Sequence, residues 1–64
     1  MTGKELRTLR ERAGLTQKAL ADLAWVSERS VIRWEVGDVK IPTKKAERLL
    51  LLLREAAKRK GAGK

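Results

Sequence analysis

The 64-residue chain carries sixteen Lys and Arg against eight Asp and Glu, a formal charge of +8, with no histidine and no cysteine. That length fits one domain at most, neither a disulfide nor a thiolate metal site can reinforce it, and the commonest neutral-pH proton shuttle and metal ligand is missing. These absences weigh against an enzyme, a metal or a cofactor, whereas the positive excess favours polyanionic partners.

Thr2-Gly3-Lys4-Glu5 fits a capping box, with Thr2 as the cap and Glu5 reaching back. A first helix is predicted from about Gly3 to Ala13, because Leu6, Leu9 and Ala13 recur at three- and four-residue steps. Gly14 ends it, and Leu15 follows as a buried linker residue. Thr16 caps a second helix through about Leu23. Leu20, Leu23 and Ala24 are expected to point inward, and Ala21 is small enough for a close helix crossing. Trp25 and Val26 form a turn. Ser27 caps a third helix to about Val36, with Val31 and Trp34 facing the core, and Gly37 stops it.

Asp38 to Pro42 is a loop, since Pro42 disfavours helical geometry at Ile41. Thr43 is expected to cap a fourth helix from Lys44 to near Lys60. Leu49 to Leu53 cover this helix all round. Leu49, Leu50 and Leu53 are assigned to the core, and Leu51 and Leu52 look outward toward a partner helix, a second copy being the obvious one. Residues 1–60 form the domain, and 61–64 read as a frayed basic tail. Half of the net positive charge lies in the last eleven residues. Nothing reads as a strand, a repeat or a low-complexity segment. The longest apolar run, Leu49 to Leu53, is far short of the roughly 20 residues that span a bilayer. With no secretory signal read at the N-terminus, a soluble cytoplasmic protein with no membrane partner is expected.

Arg29 and Arg33, four residues apart, share one face of the third helix, and Val31 and Trp34 lie opposite. A helix so divided buries the Val/Trp stripe and presents two guanidinium groups. Arginine pairs bidentately with guanine O6 and N7; the alternative is a phosphate contact, which carries no sequence information.

The segment LRTLRERAGLTQ, then Leu20-Ala21, Val26-Ser27 and Arg33-Trp34-Glu35, with Gly37 and a proline soon after, resembles the phage-repressor-like helix-turn-helix family (the Cro/cI-type, or XRE, regulators). The resemblance covers about Leu6 to Leu53. It implies five packed helices, the second and third reading DNA, and usually a homodimer on an inverted repeat. It further implies that Gln17 meets backbone phosphate, that Glu28, Arg29, Ser30 and Arg33 face the groove, and that Arg10 and Glu35 form a structural ion pair. The family's loop after the third helix and its fourth-helix start usually meet the DNA backbone, which makes Lys40 and Lys44 phosphate candidates, with Lys18 and Lys45 nearby. Glu28 either accepts from cytosine N4, serves the helix dipole or pairs within the chain. Ser30 is a phosphate or water-mediated contact.

Two departures stand out. Trp25 occupies a turn position where the family usually has glycine with positive φ, costly for a bulky residue; it is either extra core or a contact surface. The leucine run continues into ArgGluAlaAlaLysArgLys without a break, so one long C-terminal helix replaces the expected turn and fifth helix. The fold expected is therefore all-α, a compact bundle of four helices, or five, containing a helix-turn-helix. The function expected is sequence-specific binding of double-stranded DNA by a small transcriptional regulator, a repressor, acting as a homodimer without cofactor or small-molecule ligand. Trp25, Leu51 and Leu52 are its candidate dimer or partner contacts. The alternative is a protein-interaction module, such as an antitoxin or a phage-encoded adaptor, with DNA binding secondary.

Overall fold

The computed structural model describes residues 1–62, with side chains through Arg59. It contains α1 (Gly3–Arg12), α2 (Gln17–Ala24), α3 (Glu28–Val36) and α4 (Thr43–Ala62), and no strand among the described residues. Local signals set the first three starts. The Thr2 hydroxyl accepts from the Glu5 N–H while the Glu5 carboxylate accepts from the Thr2 N–H, which closes the capping box. These bonds, the Thr2 backbone N–H foremost, hold the Glu5 carboxyl below its ordinary pKa. Thr16 and Ser27 accept in the same way from Ala19 and Ser30.

The first three helices also share one ending. In each, a left-handed residue is followed by an N–H that reaches back to a carbonyl five residues earlier: Leu15 to Arg10, Val26 to Ala21 and Asp38 to Arg33. This six-to-one bond is the Schellman motif, which needs positive φ at its closing residue. Gly14 and Gly37 fill that position in α1 and α3, and Trp25, at φ 58°, fills it in α2. An L-residue there costs about 1–2 kcal/mol, and glycine gives back about 0.5–1 kcal/mol through its freer unfolded chain. Trp25→Gly is therefore expected to stabilise the fold by about 0.5–1 kcal/mol, read as a higher denaturation midpoint. A lower midpoint would mean that the indole supports the fold.

The core comprises Leu6, Ala13, Leu20, Ala21, Ala24, Val31, Trp34, Leu49 and Leu53. α2 packs on α3, α1 on α3, and α4 runs across α1 and α2. Several expected placements are corrected. Leu23 is exposed, because Leu20, Ala21 and Ala24 already fill the inward face of a two-turn helix. Leu52 does not look outward: it packs on the core with Leu49, Leu53, Ala56 and Ala57, whose three- and four-residue steps trace the buried stripe of α4. Leu50 flanks that stripe and is only half-buried, while Leu51, 64% exposed, does face outward. Thr43 is the first helical residue rather than the cap, because the Ala46 N–H bonds the Pro42 carbonyl at 2.8 Å. Among the described residues there are four helices rather than the five that the resemblance implies, since, as the uninterrupted leucine run predicts, α4 continues unbroken. It runs through Ala62, past the expected end near Lys60; the rest of the expected tail, Gly63 and Lys64, lies outside the described residues.

One close approach has no sequence signature. A Cβ added at Gly3 would lie 2.0 Å from the Trp34 carbonyl oxygen and 2.8 Å from that of Glu35. Both are backbone atoms, so no rotamer change relieves the clash. The start of α1 thus rests directly on the end of α3. Gly3→Ala is expected to cost up to about 2 kcal/mol net, as overpacking of about 1–3 kcal/mol outweighs alanine's helix preference of about 1 kcal/mol. Chemical denaturation measures this, and an unchanged midpoint would refute the contact.

Candidate nucleic-acid interface

α3 is held from behind by apolar contact and by one polar network. Val31 is fully buried and Trp34 nearly so. Between them and the Schellman turn, Glu35 turns its carboxylate inward, where its side chain is 4% exposed. Arg10 of α1 answers it as a fork, Nε to Oε2 at 2.7 Å and Nη2 to Oε1 at 3.1 Å. The remaining guanidinium nitrogen, Nη1, donates to the Leu15 carbonyl at 2.9 Å, and Gln17 Nε2 donates to Glu35 Oε1 at 3.3 Å. The hydrogen bonds that Arg10 donates to Glu35 favour the charged guanidinium and raise its pKa above the ordinary arginine value. Among the described residues no buried side-chain N or O atom lacks a partner. The network therefore ties α1, the α1–α2 linker, the start of α2 and the end of α3 into one unit.

The outer side of α3 carries the candidates for base contact. Glu28, Arg29 and Arg33 are all exposed, and none forms an ion pair among the described residues. Glu28, at the first position of α3, has the favourable sign for the helix dipole. Ser30 is half-buried, and its hydroxyl is shared with that of Ser27 at 3.0 Å. Gln17 is half-buried too, with its amide nitrogen committed to Glu35. What remains to meet an anion at the start of α2 are the backbone N–H groups of Gln17 and Lys18, since those of Ala19 and Leu20 bond the Thr16 hydroxyl and carbonyl.

Lys18, Lys40, Lys44 and Lys45 are exposed, on α2, the α3–α4 loop and the first turn of α4. Trp25 is 86% exposed, which excludes the reading of it as extra core. Two residues that sequence reasoning passed over stand on the outer side of α3 beside the arginines. They are Ile32, 39% exposed, and Val36, 72% exposed. Helical periodicity could have found them, since fixing Val31 and Trp34 inward turns both outward.

Among the described residues no helix is long and apolar enough to cross a membrane. The chain matches the family described as helix-turn-helix over residues 6–60. No curated protein and no solved structure matches it.

Proposed function

Since the chain belongs to the helix-turn-helix family of DNA-binding transcription regulators, in its phage-repressor-like (XRE) branch, we propose that it is a sequence-specific repressor that acts as a homodimer on an inverted repeat. One observation carries the specificity: Arg29 and Arg33 stand exposed and unpaired, among the described residues, on a helix whose opposite face is locked in the core. A bidentate arginine on guanine discriminates by about 1–3 kcal/mol. Glu28 and Ser30 flank that reading surface, and Gln17, Lys18, Lys40, Lys44 and Lys45 meet phosphate around it, adding affinity that falls with salt.

A second copy supplies the affinity that one short helix lacks. Among the exposed apolar groups, Leu51 and Trp25 are the ones we assign to that contact, and Leu52 adds one wall of a groove with Leu15, Leu23 and Ala56. Two-fold pairing would place the two reading helices about 34 Å apart, one turn of duplex. Occupying a promoter needs no further domain, and a cytoplasmic location follows from such a role.

Selection from random duplex DNA at physiological salt tests the reading. Enrichment of one sequence with two-fold symmetry is expected; a pool that stays random would end it. The exposure of Trp25 also favours a second reading, a module that grips another protein. A heteromeric complex that survives high salt, with no preferred duplex, would decide for that module.

A further inference from the structure

The outer face of α3 mixes charge with apolar surface in a way the arginines alone do not explain. At about 100° per residue, Val36 lies within about 20° of Arg29 around the helix and Ile32 within about 60°. All three, with Arg33, share the exposed side, and Val36 is 72% exposed. Val36, largely exposed, and Ile32, 39% exposed, therefore stand beside two guanidinium groups that form no ion pair among the described residues.

Neither a second copy nor an apolar protein face satisfies this surface. Two copies meeting here would bring four guanidinium groups together with only the two Glu28 carboxylates to answer them, and an apolar partner would strip water from charges it cannot pair. The major groove offers both complements at once. Guanine presents acceptors, and the C5-methyl of thymine is the apolar group on its base edges. We infer that Ile32 and Val36 are specificity-determining residues that read thymine methyl groups next to the guanine read by Arg29. This deepens the DNA-binding reading above and rests on it.

The helix rise puts Ile32 about 4.5 Å and Val36 about 10.5 Å along the axis from Arg29. At about 3.4 Å per base pair, the thymines fall roughly one to three pairs from that guanine. Both side chains are exposed, so replacing them leaves the core untouched.

The test uses the full chain and its selected duplex, with each thymine replaced in turn by deoxyuridine, which removes only the methyl group. Fluorescence anisotropy is expected to show a loss of about fourfold in affinity for each methyl that is read, within three base pairs of the guanine. Ile32→Ala with Val36→Ala should bind the thymine and uracil duplexes equally, while still preferring the guanine. A flat uracil scan on a duplex that remains preferred would overturn this inference and leave the DNA-binding reading standing. Absence of any preferred duplex would overturn both. Self-association without DNA that the double substitution abolishes, together with a flat scan, would give the face to a second copy and overturn it as well.

Discussion

Arg10→Ala is expected to remove a large part of the protein's folding stability. The substitution strands the Glu35 carboxylate, 4% exposed, and removes the donor to the Leu15 carbonyl. Breaking a buried pair from one side costs about 3–5 kcal/mol. A domain of this size has only about 3–10 kcal/mol in total, at roughly 0.05–0.15 kcal/mol per residue. At about 4–8 °C per kcal/mol, the melting midpoint should fall by about 12–40 °C. The arginine's own exposure, 12% for the side chain, does not soften this, because the cost comes from the deeper carboxylate. Arg10→Met combined with Glu35→Leu removes both charges and should recover most of the loss. Urea denaturation of the two variants measures the difference. Arg10→Ala within 1 kcal/mol of the parent would show that water reaches the carboxylate and that the network is not what braces α3.

The second large effect is on recognition. Arg29→Ala should lower affinity for the selected duplex by up to about 150-fold, the ~3 kcal/mol upper range of one bidentate guanine contact, and leave affinity for random DNA little changed. Lys44→Ala should weaken all duplexes alike and reduce the slope of log affinity against log salt by about one. The contrast follows from placement. Arg29 stands on the outer face of α3, one residue into the helix, whereas Lys44 stands on the first turn of α4, outside the helix pair. Salt titrations on selected and random duplexes separate the two. If both substitutions changed both duplexes in parallel, Arg29 would be a phosphate contact and base reading would have to lie elsewhere on α3.

The strain at Trp25 bears on both arguments. Its left-handed backbone is imposed by the Schellman closure of α2, and α3 begins three residues later. The indole, 86% exposed, contributes little burial in return for the strained backbone. A more stable Trp25→Gly variant that lost dimerisation would assign the residue to assembly. One that kept it would leave Leu51 as the main exposed contact.

Much of the fold was legible because the signals are local. Thr2 with Glu5, Thr16 and Ser27 cap within three residues of themselves, and Gly14 and Gly37 close helices at the positions where positive φ is needed. Val31 and Trp34 were assigned inward by spacing alone. The same reasoning went astray at Leu23, Leu50 and Leu52, where an apolar residue had apolar neighbours on every side. A helix wheel does not choose among leucines that surround it; the neighbouring helices do. It also passed over Ile32 and Val36, whose outward placement was implicit in the assignment of Val31 and Trp34.

The sequence by itself determined where each of the first three helices begins and how the first and third end, which residues could neutralise phosphate, and that a guanidinium pair shares one face. Those properties depend on contacts spanning at most five residues, or on charge, which needs no partner. Only the tertiary structure decided that Leu52 packs against the core, that Gly3 must lack a side chain because the Trp34 carbonyl lies against it, and that Gln17 is bonded to Glu35. Each depends on how closely two helices distant in sequence approach, and that distance is set by packing the whole set of side chains at once.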